Sequence, residues 1–355
     1  MSDLWTYLQT ANLPIVLYGM GNGADKLLSE LHARGLDAAD FFASDGFVRG
    51  HSFHGKKVLT FNEILAKYED FIVLLSFGSS LPELLQRFED LSHRCRFFVP
   101  ELPIAGEILF TAEYYESVCD RLEEVRSLLA DERSKEVFDG IIEYRLTGKI
   151  QPLISTCDPR EEVFTILRPS RYRRYLDLGA YNGDTIRELL EYQPNLSKIY
   201  ALEPDRRSYR KLMESAEKDG FAHLLVSEQA GAWECDGTLY VSDEGSRNSH
   251  LSLTPGAKSK PVSVRSPDSF LAGDGVDYIK FDVEGVEREA LLGTANTIKK
   301  HRPDLAVSLY HRAEDLWKLP LLVKQLNPAY RLYLRRPPYI PPWDLCLYAI
   351  DTTDQ

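Results

Sequence analysis

Carboxylates, glycines and a histidine recur at the ends of apolar runs in the second half of this chain, at spacings that suit a ligand crevice. The stretch Tyr175-Leu-Asp-Leu-Gly-Ala-Tyr-Asn-Gly-Asp-Thr185 has the form of a strand, a glycine-hinged turn and a helix start. Asp177 closes the strand, Gly179 and Gly183 permit a tight bend, and Asp184-Thr185 can cap a helix running through Ile186, Leu189 and Leu190. A turn of this kind aims helix N–H groups at a nucleotide-like cofactor. Its spacing, Asp-x-Gly-x-x-x-Gly, differs from the Gly-x-Gly-x-x-Gly of a dinucleotide fold. The next apolar run ends in Ala201-Leu-Glu203-Pro-Asp205, placing an acid where it can accept hydrogen bonds from two ribose hydroxyls. Turn and acid together suit NAD, a flavin nucleotide or S-adenosylmethionine equally well.

Farther on, Tyr278-Ile-Lys-Phe-Asp282-Val-Glu284-Gly-Val-Glu287 brings three carboxylates to the junction of a strand and a helix. Such junctions line the ligand edge of a parallel sheet. Asp282 and Glu284 project from the strand end, whereas Glu287 falls in the first helical turn, where it also suits the macrodipole. A carboxylate cluster can hold magnesium, but no histidine lies near it in sequence, and no metal is assigned. The following strand, Pro303-Asp-Leu-Ala-Val-Ser-Leu-Tyr310-His311, ends in a histidine at the same edge. Asp282 or His311 could therefore serve as a general base, with Glu284 orienting what is deprotonated. His51 and His54 stand three apart with no third ligand in view, which is the pattern of surface histidines.

The elements that position these groups alternate. Leu13 to Gly19, Ala38 to Ala43, Phe71 to Ser76 and Phe97 to Val99 read as strands of a small doubly wound sheet. Its first turn, Gly19-Met-Gly21-Asn-Gly23, is richer in glycine than the one at Gly179. Tyr114 to Gly148 is helical, with apolar residues at spacings of three and four and no sustained heptad. Beyond the proline-bearing approach from Gln151 to Ser170, five strands are expected at Tyr175–Leu178, Lys198–Leu202, Leu224–Ser227, Tyr278–Asp282 and Leu305–Leu309. Tyr330–Leu334 and Leu345–Ile350 are joined by the proline-rich Arg336 to Trp343, too short for a helix, so they form an antiparallel pair at the sheet edge. The insert Thr238 to Phe270 adds short strands around a polar loop, and Arg247, Asn248 and His250 make that loop a candidate lid over an acceptor.

Composition narrows the partners. At 355 residues, two domains are expected on a prior of about 150 residues each. Basic residues number 42 against 54 acidic, a net charge of -12, which argues against a nucleic-acid surface. Five cysteines without a Cys-x-x-Cys pair signal neither a disulfide framework nor a zinc site, in keeping with a cytoplasmic protein. No secretory leader and no membrane span are read. Homo-oligomerisation is left open.

Taken together, Tyr175 to Thr185, Leu202 to Asp205, Ile279 to Glu287 with Leu291-Leu-Gly293, and Ser308 to Trp317 resemble the FkbM family of S-adenosylmethionine-dependent methyltransferases. The Lys-x-Asp-x-Glu-Gly-x-Glu stretch is the most specific part, and the resemblance runs from near Arg171 to the C-terminus. It implies an α/β fold: a seven-stranded Rossmann-like methyltransferase sheet with its last strand antiparallel, over 171–355. A smaller doubly wound Rossmann-like domain over 1–112 and a helical connector over 113–170 would precede it, as in bacterial members.

The resemblance also implies roles. Asp177, Gly179, Ala180, Tyr181, Asn182, Gly183, Asp184 and Thr185 would hold the methionine end and ribose of S-adenosylmethionine. Glu203 would take the ribose hydroxyls, and Gln229 and Ala230 would flank the adenine, where many methyltransferases have an acid. The acceptor would be a hydroxyl on a sugar, a glycan precursor or a related small molecule. Trp233, Tyr310, Trp317, Tyr339 and Trp343 could stack on its rings. Two rival readings are a nicotinamide-dependent oxidoreductase using the turn at Gly19, and a non-catalytic nucleotide-sugar-binding module.

Overall fold

The computed structural model describes residues 2–48, 50–242, 251–252 and 259–352. Its first sheet contains β1 (Ile15–Tyr18), β2 (Asp40–Phe42), β3 (Ser52–Phe53), β4 (Lys56–Leu59), β5 (Ile72–Leu75) and β6 (Arg96–Phe98). They lie in the order β3-β4-β2-β1-β5-β6, parallel throughout except for the β3–β4 hairpin. The hairpin escapes a pattern reading because Val58 is its one buried residue, too little for a period to show. β1 and β5 are apolar and buried end to end, as befits central parallel strands covered on both faces.

The second half forms two sheets. β7 (Arg174–Leu178), β8 (Lys198–Leu202), β9 (Leu225–Glu228), β14 (Tyr278–Phe281), β15 (Asp304–Ser308), β16 (Arg331–Arg335) and β17 (Cys346–Ile350) take the order β16-β17-β15-β14-β7-β8-β9. β17 is antiparallel to both its neighbours and sits inside β16, so the expected terminal pair is present with its first strand at the edge. The insert and the residues just before it supply β10 (Gly231–Ala232), β11 (Gly237–Ser242), β12 (Leu251–Ser252) and β13 (Ser259–Arg265) as a separate four-stranded sheet. Arg247, Asn248 and His250, the candidate lid residues, lie outside the described residues.

A period of two along each strand decides which core it feeds. Leu176 and Leu178, Ile279 and Phe281, Leu305 and Val307, and Leu347 and Ala349 all enter one apolar cluster. Their alternates Tyr175, Tyr278, Ala306 and Tyr348 enter another, together with Val163, Phe164 and Leu167 of the helix Arg160–Leu167. The first cluster continues through Val137 and Ile141 to Tyr18, Val73 and Phe88 of the N-terminal layer, so the two sheets share one core.

The expected helical stretch from Tyr114 to Gly148 is two helices, Ala112–Leu128 and Glu132–Thr147, capped at Thr111 and Asp131 and closed by Gly148 in the left-handed region. Rather than merely spanning a gap, the second helix lies on the edge strand. Ala130 N–H donates to Leu332 O at 2.8 Å, Leu334 N–H donates to Ser134 Oγ at 2.9 Å, and Arg335 pairs with Asp131 at 2.7 Å. An edge strand covered in this way is protected from pairing with other chains. Arg145, 4% exposed, donates to Ala313 O and Leu309 O and lies 2.8 Å from Glu101 Oε1, pinning the connector to the loop after β15.

Replacing Arg145 with Met should therefore strand the Glu101 carboxylate and two carbonyls. The expected loss is about 3–5 kcal/mol, read as a lower midpoint in thermal or urea unfolding of the full chain.

Candidate active site

Strand order reverses between β7 and β14, and a crevice opens at their C-terminal ends. This is the switch point where open α/β sheets bind ligands. Gly179, at φ +82°, lets the two strand ends close on each other: a Cβ there would stand 1.9 Å from Asp282 O. The cavity above them measures about 1480 Å³.

Gly179, Tyr181, Asp184, Thr185, Glu203, Gln229, Asp282 and Glu284 line this cavity. Glu203 is 7% exposed and already accepts the N–H groups of Tyr181 and Asp205, both at 2.8 Å. Each of its oxygens keeps a lone pair for a further donor. Burial pushes its carboxyl up, and those two N–H groups work against the rise. Gln229 is exposed where an acid often stands. The remaining expected residues support the wall. Asp177 is fully buried and accepts from Thr185 Oγ1 at 2.6 Å; Asn182 binds Arg187; Gly183, at φ +80°, packs on Leu212. Ala180 and Ala230 are buried in the two cores, so their side chains do not face a ligand.

Lys280, to which the motif's chemistry assigns no role, sits at the centre of the site. Its Nζ lies 3.6 Å from Asp177 Oδ1, 3.3 Å from Asp282 Oδ2 and 3.4 Å from Gly179 O. The signal for it was the period of two on β14, which puts Tyr278, Lys280 and Asp282 on one face. Burial works to lower the Lys280 pKa, but Asp177 and Asp282 raise it above the ordinary ammonium value. Asp282 also accepts from Ser308 Oγ at 2.9 Å and Tyr310 OH at 2.8 Å. Burial would raise its carboxyl; Lys280, His311 and the two hydroxyls outweigh that and hold it below the usual value.

His311 is fully buried behind Asp282 and does not line the cavity. Its Nδ1 stands 2.9 Å from Glu287 Oε1, and its Nε2 stands 3.8 Å from Asp282 and 3.6 Å from Glu284. Glu287 does more than face a helix dipole: it accepts the N–H of Val283 and orients the imidazole. Asp282, Glu287 and His311 offer atoms within 4.8 Å of one another, a spacing that would admit a metal ion. In the geometry described, the imidazole itself lies between the carboxylates. Burial acts to lower the His311 pKa, yet Glu287, Asp282 and Glu284 bring it up to about 9. Glu284, at φ +58° with its side chain 83% exposed, reaches into the crevice mouth.

The aromatic candidates separate. Trp233 and Tyr310 line the cavity, while Trp317 donates to Tyr114 OH at 3.0 Å within the core and Tyr339 packs on Trp343. At the N-terminal turn, a Cβ on Gly23 would stand 1.9 Å from Ser76 O, and one on Gly19 would meet Ser76 and Phe77. Those two glycines serve packing. His54 bonds Asp25 on the surface at 2.7 Å.

A seven-stranded sheet of this order, with an antiparallel strand beside its edge and acids at the switch point, defines the chain as a methyltransferase-like α/β protein. Residues 177–339 match the methyltransferase FkbM domain, and over this span the chain carries a methyltransferase domain of that family. No curated protein matches the chain. A crystal structure of methyltransferase FkbM from Methylobacillus flagellatus is similar over 98% of this chain and 94% of its own, with TM-score 0.75 and 20% identity. Precorrin-6y C5,15-methyltransferase from Geobacter metallireducens aligns over 54% of this chain and 88% of its own, at TM-score 0.35 and 13% identity. Aeropyrum pernix fibrillarin, solved with S-adenosyl-L-methionine, aligns over 50% of this chain and 66% of its own, at TM-score 0.33 and 13% identity.

Because the folded His311 pKa lies above its ordinary 6.5, its contribution to stability is full below pH 6.5 and is lost as pH rises through about 9. Urea unfolding of the wild type should show this loss between pH 7 and 10, and His311→Gln should flatten it. Equal slopes in the two proteins would show that the imidazole is not held as a cation.

Proposed function

We propose that the chain is an S-adenosylmethionine-dependent O-methyltransferase acting on a hydroxyl of a sugar, a glycan precursor or a related small metabolite. The observation that carries this reading is the placement of Asp282, an ionised carboxylate, in the same cavity as the glycine turn and Glu203. The residues fit the cofactor. Glu203 keeps lone pairs for a ribose diol, and Asp177 Oδ1 is buried without a hydrogen-bond donor at the base of the turn. Asp177, Glu203, Asp282, Glu284 and Glu287 outnumber the Lys280 and His311 cations among them, which favours a sulfonium. The cofactor supplies an electrophilic methyl group.

The chain's own residues then have three tasks. Glu203 and the Gly179–Thr185 turn bind and orient, with Gln229 at the adenine end. Asp282 accepts the proton of the acceptor hydroxyl as its oxygen becomes nucleophilic, and Glu284 orients that hydroxyl from the crevice mouth. His311, held as a cation by Glu287, keeps Asp282 ionised from behind rather than meeting the acceptor itself. Positioning of this kind is worth about 7–11 kcal/mol, and a placed base about 10²- to 10⁴-fold. In this reading residues 171–355 form the catalytic domain, 113–170 the connector and 1–112 a smaller N-terminal Rossmann-like domain packed into the same core.

A methyl-transfer screen over glycan fragments and nucleotide-sugars tests the acceptor class. With an acceptor in hand, Asp282→Asn should lower kcat about 10²- to 10⁴-fold while calorimetry shows S-adenosylhomocysteine binding preserved. Full turnover in both Asp282→Asn and His311→Ala would remove the assignment.

A further inference from the structure

A second, smaller cavity of about 70 Å³ lies where the ligand edge of the N-terminal sheet meets the catalytic strand ends. Phe77 and Trp343 form apolar walls, and Tyr310, which also lines the large cavity and bonds Asp282, is common to both. The cleft is built rather than incidental. Gly78 leaves no room for a side chain, since a Cβ would stand 2.5 Å from the Trp343 ring, and Ser79 pairs with Ile340 to hold the proline-rich turn in place. Besides Arg145 Nε, which faces Glu101 Oε1 at 2.8 Å, two polar atoms of this wall lack a hydrogen-bond partner among the described residues. Tyr144 is fully buried and its hydroxyl has no hydrogen-bond partner; Glu101 gives one oxygen to Arg145, and its buried Oε2 has none. A buried unpartnered polar group is costly enough to call for an explanation.

The chemistry of these groups selects the ligand. A carboxylate oxygen needs a donor, which hydroxyls offer and an ionised phosphate does not. Aromatic faces flanking hydroxyl-directed groups suit a ring with an apolar side and a polar rim. The volume holds roughly five water-sized positions, too few for a dinucleotide and enough for the edge of one ring. We infer that this cleft is a subsite for a neutral polyhydroxylated ring, the sugar unit next to the one carrying the methylated hydroxyl. The inference rests on the glycan-acceptor reading above and gives the N-terminal sheet a role in recognition. Tyr310 is then the partition between the unit that reacts and the unit that is held.

The test uses the full chain, with and without S-adenosylhomocysteine, in calorimetry and saturation-transfer NMR. The probes are methyl pyranosides of gluco, galacto, manno and rhamno configuration, UDP-glucose and UMP. At least one pyranoside, or UDP-glucose more tightly than UMP, should bind. The first outcome points to a glycan and the second to a nucleotide-linked sugar. Tyr144→Phe and Glu101→Gln should each weaken that binding about tenfold and leave S-adenosylhomocysteine affinity unchanged. Since Tyr144→Phe removes a hydroxyl without a partner, its melting temperature should match or exceed the wild type. Silence of every pyranoside together with UMP matching UDP-glucose, or binding unmoved by both variants, overturns the subsite. Such a failure with S-adenosylhomocysteine still bound leaves the methyltransferase reading standing; absence of S-adenosylhomocysteine binding strikes that reading instead.

Discussion

The ammonium of Lys280 is the interaction on which the rest of the crevice depends. Two carboxylates, Asp177 and Asp282, end adjacent strands at the point where strand order reverses, and the first is fully buried. Without a cation between them, desolvation and mutual repulsion would drive protons onto one or both. Lys280 lies within 3.6 Å of each and works against this: Asp282 is held below the usual carboxylate value, while at Asp177 burial still outweighs the ammonium and pushes the carboxyl up. Gly179 completes the closure, because only a residue without a Cβ lets the backbone of one strand end approach Asp282 O. Ser308 and Tyr310 then bring the third strand end to the same carboxylate.

The same local device occurs twice, with different consequences. In the N-terminal sheet Gly23 closes on Ser76 O as Gly179 closes on Asp282 O, at the corresponding reversal of strand order. One closure ends in a cluster of carboxylates around an ammonium, the other in a serine and a phenylalanine. Glycine content reports backbone approach and nothing about the charge that backbone will face. In the more glycine-rich turn, Gly19 and Gly23 are fixed by such packing.

The N-terminal half reaches the strand ends at the crevice through backbone contacts. Ile104 and Ala105 donate to His311 O at 3.1 and 2.9 Å; within the second half, the Arg312 side chain donates to Gly285 O at 2.6 Å. A Cβ on Gly285 would strike Ala105. The loop carrying Asp282, Glu284 and Glu287 is accordingly clamped between its own sheet and the segment that follows β6. Rigid seating of this kind is what a charged cluster needs, since a displacement of about 1 Å can cost 10²-fold in rate.

The sequence by itself determined the alternation of strands and helices, the two turns, the antiparallel terminal pair and the acids at the strand ends. Those features are local: period, cap residues and glycines act over a few neighbours and leave a direct trace in the order of residues. Tertiary structure decided how they meet. Lys280 reads as an interruption of an apolar strand until Asp177, 103 residues earlier, is seen opposite it. Glu287 reads as a helix-start acid until His311 is folded against it, and His311 reads as facing the crevice until Asp282 is found in front. The connector's hold on β16 and the cleft at Tyr144 and Glu101 likewise join residues far apart in the chain. Charge pairing and burial are set by which surfaces meet, and one strand of residues carries no record of its distant partners.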